Sequence, residues 1–407
     1  MPVPWQRWPI VSWSIGIDFE VPGNIPMNTD TRNAFCRTRI RRLQKAMQKE
    51  NIDTLMVSIQ ENRRYISGFT GEDTQLDESA GALFLTENRL VLATDSRYET
   101  QARSEAPLFE VFCYRKGLAK SLPEILKSFK TERLGFESVR LSVQELHKIE
   151  DQLKKKKIQV VLVPVEDLVE KQREIKSAAE IAAIQRALRL AEEAFQRTVP
   201  ILKPGITEKE AAWGLEKEMR QAGAEGVSFP IIVAFGENSA LPHAVPGGRN
   251  LKPGEPILFD WGARLDGYCS DISRSFCIGK PNAFFKKVYQ AVRDAQEKAV
   301  EAIRPGATTK DIDHIARSLI DRRKFKGRFG HGLGHGVGLA IHEAPRLGPI
   351  KDDTLLPGMV FTVEPGIYIP NWGGIRLENM VVVKKDHVHV LNRLPTDIEF
   401  TAYAFSS

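Results

Sequence analysis

Ile257-Leu258-Phe259-Asp260-Trp261-Gly262-Ala263-Arg264-Leu265-Asp266-Gly267-Tyr268-Cys269-Ser270-Asp271-Ile272 spells two strand-like runs about an Asp-Gly turn signal, and hence a β-hairpin. A two-residue turn at Asp266-Gly267 pairs position 262 with 271 and makes Asp260 a diagonal neighbour of Asp271 on one face. A four-residue loop sets the two aspartates directly opposite. An odd loop or a bulge would turn one of them to the other face. Taken alone, Asp260 also reads as a turn aspartate solvating a hairpin, but it follows three apolar residues, where a carboxylate needs a partner. Two aspartates on one face repel unless a cation is shared between them.

A second pair of strand-like runs lies downstream. Phe361-Thr362-Val363-Glu364-Pro365-Gly366 is followed by a loop through 371–374 and then by Ile375-Arg376-Leu377-Glu378. The midpoint falls at Asn371, so a returning strand brings Glu364 opposite Glu378, and Arg376 shares the face of Glu378. A guanidinium there holds carboxylates ionised and oriented; the plainer reading is an edge-strand ion pair. Between the two constellations runs Gly330-His331-Gly332-Leu333-Gly334-His335-Gly336-Val337-Gly338, continuing to His342-Glu343. Five glycines in nine residues make a loop or strand that approaches something closely, and neither a Lys-Ser/Thr nor a GxGxxG helix start follows to make it a phosphate cradle. Three of the chain's eight histidines fall within these twelve residues, which points to a metal site.

Four carboxylates and one imidazole, Asp260, Asp271, Glu364, Glu378 and His335, form an oxygen-rich ligand set. It favours two divalent ions such as Mn or Co, with Zn admitted, over soft-metal thiolate chemistry. Two such ions balance four carboxylates, whereas one leaves two negative charges uncompensated. A pair of ions lowers the pKa of bound water and polarises a scissile carbonyl, so hydrolysis is the reaction class expected.

Working back toward the N-terminus, the spacing predicts helices over 33–50, 119–129 and 143–155. Strands are predicted over 54–57, 82–85, 90–94, 110–113 and 159–163, giving an open α/β sheet. After the charged stretch 164–176 come helices over 178–195, 207–222, with a Thr207/Glu210 capping box, 283–304 and 309–322. The second half is therefore α+β. The expected division is an extension over 1–30, a first domain over 31–172 and a second over 173–407. Residues 1–26 lack the apolar core and cleavage site of a signal peptide and read as a peripheral extension, with Met27 as the expected native start.

Composition narrows the class. The 407 residues are 42% hydrophobic without an apolar run long enough to span a bilayer. The 58 Lys and Arg against 52 Asp and Glu are interspersed, so neither nucleic acid nor membrane is expected as partner; Lys154 to Lys157 reads as a solvated face. Cys36, Cys113, Cys269 and Cys277 show no CxxC spacing, so no disulfide framework or thiolate zinc site is implied and a reducing cytoplasm fits.

Read in order, these motifs resemble the aminopeptidase P, prolidase and methionine aminopeptidase family, M24, whose catalytic domain is the pita-bread fold. The resemblance rests on the spacings Asp260–Asp271, His335–Glu364 and Glu364–Glu378. Tyr65-Ile66-Ser67-Gly68-Phe69-Thr70-Gly71 and Arg173-Glu174-Ile175-Lys176-Ser177 are similar to the creatinase-like N-terminal domain, which methionine aminopeptidases lack. The resemblance implies that Asp271 and Glu378 bridge two ions, with Asp260 on one and His335 and Glu364 on the other. It implies that Glu364 shuttles the proton, that His243 binds substrate and that His342 steadies the tetrahedral intermediate, with Arg376 beside the carboxylates. The substrate implied is a small peptide with proline at its second position, cleaved by a homodimer. The same fold occurs in creatinase, in a lyase acting on a sulfonium compound and in non-catalytic peptide- or histone-binding modules; five intact ligands argue against a binding module. The resemblance gives His331, Cys269 and Cys277 no role.

Overall fold

The computed structural model describes residues 29–73, 75 and 78–397; the readings placed on 1–26 and Met27 lie outside them. The first half runs α1 (Thr29–Lys49), β1 (Thr54–Val57), α2 (Gln60–Ser67), β2 (Ala82–Leu85), β3 (Leu90–Thr94), α3 (Glu99–Glu105), β4 (Glu110–Cys113), α4 (Leu118–Phe129), β5 (Arg133–Glu137), α5 (Val143–Lys155), β6 (Val161–Val165) and α6 (Glu170–Glu174). Its strands form one mixed sheet in the order β4-β3-β2-β1-β5-β6. Side chains alternate across it: Leu55 and Val57 pack with Ile40, Leu43 and Met47 of α1. Met56 between them packs with Leu122, Ile125 and Leu126 of α4 and with Ile149 and Leu153 of α5. The α/β reading therefore holds.

Two differences from the sequence reading have physical causes. Strand β5 was not expected, because Gly135 interrupts its apolar run. A Cβ at that position would stand 2.8 Å from the Ile52 side chain, so the glycine there marks close packing rather than a break. Strand β6 begins at Val161 rather than Gln159 and carries Pro164, which is tolerated because β6 is the sheet's edge.

The second half continues α7 (Ala178–Thr198), α8 (Glu208–Gln221), β7 (Gly226–Val227), β8 (Ile232–Phe235), β9 (Ile257–Trp261), β10 (Ala263–Leu265), β11 (Tyr268–Cys269), β12 (Ile272–Phe276), α9 (Ala283–Ala302), α10 (Thr309–Ile320), β13 (Gly334–Gly336), β14 (Glu343–Leu347), β15 (Val360–Val363), β16 (Gly366–Ile369), β17 (Gly373–Arg376), β18 (Asn379–Val383) and β19 (Val388–Val390). Ser177 with Glu180 and Thr207 with Glu210 close capping boxes at the starts of α7 and α8. Helices α7 and α8 bury Leu188, Phe195, Leu215 and Met219 against Phe259, Trp261 and Phe276 of the hairpin. Trp261 stacks on Phe195 at 4.4 Å between ring centroids and donates its indole N–H to the Ala191 carbonyl. On the other side, α9 and α10 cover Phe361, Val363, Ile375 and Val381. The carboxylate-bearing strands are thus held between two helix pairs. No helix among the described residues is long and apolar enough to cross a membrane.

Candidate metal centre

The Asp260/Asp271 hairpin folds on the two-residue turn. Asp266 and Gly267 both take positive φ (52° and 78°), the demand of a type I′ turn, and Leu265 pairs with Tyr268. Asp260 pairs with Ser273 and Trp261 with Ile272, so Asp260 and Asp271 are diagonal neighbours on one face. The second constellation closes in the expected register too. Val363 pairs with Asn379 and Gly366 with Arg376, which sets Glu364 opposite Glu378 in the gap between the two ladders. Asn371, at φ 62°, sits in the reversing loop.

These four strands converge. Carboxylate oxygens of Asp260, Asp271 and Glu378 lie within 4.8 Å of one another. His335 Nε2, on β13, stands 3.5 Å from Asp271 Oδ2 and 3.4 Å from Glu364 Oε1. All five expected ligands therefore meet at one end of the same cleft, of about 550 Å³, which His243, His331, His342, Arg346 and Arg376 also line.

Several partners of these ligands were not anticipated from sequence. Ser273 donates to Glu378 Oε2 (2.8 Å) and accepts from Arg376 Nε (2.8 Å). Thr362 Oγ1 donates to Glu364 Oε1 (3.0 Å) and accepts the backbone N–H of His335 (3.0 Å). Tyr368 OH lies 2.9 Å from His331 Nε2 and accepts from Arg376 Nη1 (2.8 Å), which gives His331 a place in the cleft wall. Buried Gln296, on α9, donates to the carbonyls of Val363 (3.0 Å) and Leu377 (2.8 Å), the residues immediately before Glu364 and Glu378. Ser273 and Thr362 share strand parity with Asp271 and Glu364, which places them on the ligand faces without naming the partners they meet; Gln296 carries no such signal.

The electrostatics are those of an anionic cluster in a dry place. Burial, reinforced by the charges of Glu378, Asp260 and Glu364, holds the Asp271 carboxyl well above the usual carboxylate range, and Glu378 is raised in the same way. Burial pushes Glu364 up to about 7 against the pull of Arg376. Asp260 is raised by burial while Arg376, 2.6 Å away, draws it back. Burial lowers His335 to about 3 and His331 to about 4, so both imidazoles are neutral, the form that ligates metal. Asp260 Oδ1 and Glu378 Oε1 are buried and accept no hydrogen bond. Orphaned anionic oxygens aimed at one point are a poor protein interior and a good seat for divalent cations, so the donor set fits them.

Comparison with known proteins accords with this geometry. Residues 182–385 match the model of metallopeptidase family M24, and residues 39–175 match the creatinase/prolidase N-terminal domain. The chain is 36% identical over 360 residues to an uncharacterized peptidase, YqhT, of Bacillus subtilis, covering 88% of this chain and 99% of that one. It is 33% identical over 349 residues to an Xaa-Pro dipeptidase of Pyrococcus horikoshii, covering 86% and 95%. Among solved structures, an Xaa-Pro dipeptidase from Bacillus anthracis superimposes with TM-score 0.84 at 35% identity over 89% of this chain and 99% of that one. An X-Pro aminopeptidase from Thermotoga maritima does so with TM-score 0.81 at 36% identity over 88% and 98%. The chain therefore belongs to metallopeptidase family M24, its pita-bread catalytic domain preceded by a creatinase-like one.

Proposed function

We propose that the protein is a metal-dependent exopeptidase that hydrolyses the bond between an N-terminal residue and proline, using two divalent cations held by Asp260, Asp271, His335, Glu364 and Glu378. The observation that carries the reading is the convergence of three carboxylates, of which Asp260 and Glu378 each keep a buried oxygen that accepts no hydrogen bond. Four carboxylates and the Arg376 guanidinium sum to three net negative charges; two divalent cations more than balance them and leave room for one further anion. Asp271 and Glu378, most deeply buried between the others, are assigned to both cations, Asp260 to one, and His335 and Glu364 to the other. Mn or Co suits this donor set, and Zn is admitted.

When bound, two such cations would lower the pKa of an attacking water and polarise the scissile carbonyl. Glu364, its carboxyl oriented by the Thr362 hydroxyl, would accept a proton from the attacking water and give it to the departing proline nitrogen. His342, whose ring centroid is 4.3 Å from that of His335, donates to the carbonyl oxygen as charge gathers there, and His243 steadies the substrate. Arg376 is a positioning residue, donating to Asp260, Ser273 and Tyr368 at once. Phe229, Pro230, Ile232 and Val245 offer the pyrrolidine ring an apolar wall. The Arg346 guanidinium, without an ion pair among the described residues, faces the cleft as a counter-charge for a short substrate's carboxylate. We place the enzyme in the cytoplasm, where its four free cysteines would persist, as a homodimer.

The test is hydrolysis of an Xaa-Pro dipeptide and an Xaa-Pro-Yaa tripeptide by chelator-stripped protein with and without added Mn or Co. Cleavage that depends on metal is expected, and the preferred length separates dipeptidase from aminopeptidase. Bound metal with no cleavage of either peptide would refute the substrate and favour a lyase; failure to take up metal would favour a binding module.

A further inference from the structure

His342 stands in a thin wall. It lines the catalytic cleft on one side and, with Arg346, a second cavity of about 450 Å³ between the two domains on the other. The next residue, Glu343, begins β14 and lines only the interdomain cavity. Its carboxylate is nearly inaccessible; it accepts two hydrogen bonds at one oxygen and forms an ion pair at the other. Arg173 Nη2 donates to Oε1 at 2.5 Å, the Ala340 N–H to the same oxygen at 2.9 Å, and Lys176 Nζ stands 3.3 Å from Oε2. Both cations belong to the segment joining the domains, which is pinned by the Lys176 N–H to the Gly358 carbonyl at 2.9 Å.

Arg173 reaches further. Its Nη1 donates to Asn62 Oδ1 at 2.6 Å, and Asn62 Nδ2 donates to Glu137 (2.7 Å) and Glu170 (2.6 Å). A continuous buried chain of hydrogen bonds thus runs from β5 of the N-terminal domain to the residue beside His342. The sequence reading absorbed none of its members into a function. Burying three charged side chains costs several kcal/mol per ion, and well-packed apolar residues would hold the domains together at least as well, so stability alone does not account for the cluster.

We propose that Glu343 is a positioning residue for His342, gripped by Arg173 and Lys176 so that the N-terminal domain sets where that imidazole stands in the cleft. The proposal rests on the reading of His342 as a substrate-contacting residue. Glu343 touches no expected ligand, so its effect is on turnover and not on metal binding.

The experiment is a double-mutant cycle on the full-length, Mn-loaded enzyme with an Xaa-Pro dipeptide. Glu343→Gln keeps an acceptor for the Ala340 N–H and removes the charge; it is expected to lower kcat about 10- to 100-fold with KM little changed, the scale of a misplaced catalytic group. In a His342→Ala background the same substitution is expected to lower kcat about twofold or less, because the group it acts through is gone. Mn affinity, titrated on stripped protein, is expected to be unchanged. An equal loss in both backgrounds, or weakened Mn binding, would overturn the proposal. A fully active His342→Ala enzyme would overturn it as well, and would place the failure in the reading of His342. If Glu343→Gln does not fold, Lys176→Met, which leaves the Arg173 pair in place, runs the same cycle with a smaller loss expected.

Discussion

Arg376 Nη2 donates to Asp260 Oδ2 at 2.6 Å, so one of the expected metal ligands is held by a buried cation before any metal arrives. Arg376 also lowers the carboxyl pKa values of Asp271, Glu364 and Glu378. Divalent ions must displace protons from these groups. Arg376→Met is therefore expected to weaken Mn binding at pH 6, where the carboxylates would hold their protons, and to leave it as tight or tighter at pH 8, where a repelling charge has been removed. Calorimetric titration at the two pH values measures this; an equal loss at both would mean that Arg376 acts only by packing.

The metal-free protein is expected to lose stability as pH rises from about 6.5 through 7. Glu364, Asp271 and Glu378 have folded-state pKa values above their unfolded ones. Each thus contributes stability that is present below the unfolded pKa and disappears as pH passes the folded one, about 7 for Glu364. His331 and His335, lowered to about 4 and 3, oppose this only below the unfolded histidine pKa, outside the window. Bound cations hold the carboxylates ionised throughout, so Mn should remove most of the slope. Glu137, pushed by burial to about 7 and remote from the ligands, keeps a remainder. Thermal midpoints across that range, with and without Mn, decide it; parallel curves would contradict the assignment of these carboxylates.

That the expected ligands share their faces was legible because hairpins are local. An Asp-Gly turn and the spacing about Asn371 determine which side chains share a face, and the observed registers, Asp260 with Ser273 and Gly366 with Arg376, follow from them. The groups that orient those ligands were not legible. Ser273 meets Glu378 across 105 residues, and Gln296 reaches Val363 and Leu377 across 67 and 81; no local pattern announces such partners. His331 has no partner legible in the sequence because Tyr368 lies 37 residues on, beyond the strand-like run that ends at Gly366. Short helices such as α2 and α6, and strand β5 with its central glycine, fell below what periodicity resolves.

Gln296 supplies a sharper test of that hidden layer. Its amide donates to two buried carbonyls immediately before Glu364 and Glu378. Gln296→Leu removes a donor from each, at about 1–3 kcal/mol apiece, so unfolding in urea is expected to show a loss of about 2–6 kcal/mol. If the amide also spaces the two glutamates, Mn affinity falls about tenfold in the folded variant, the scale on which outer-shell partners act. Lower stability with unaltered Mn affinity would restrict Gln296 to a structural role.

The glycine string separates close approach from mere flexibility. A Cβ at Gly334 would stand 1.9 Å from the Thr362 carbonyl oxygen, whereas one at Gly330 would meet nothing within 4 Å. Thr362 lies in β15, flanked by β13 and β18, and cannot retreat cheaply. In Gly334→Ala it is therefore β13 that moves, breaking the bond from the His335 N–H to Thr362 Oγ1 and carrying the imidazole away from Asp271 and Glu364. Metal content after dialysis against limiting Mn should fall in Gly334→Ala and match the wild type in Gly330→Ala, whose stability should stay within about 0.5 kcal/mol. Equal behaviour of the two variants would mean that the string is glycine-rich for flexibility, and that His335 does not depend on how closely β13 approaches β15.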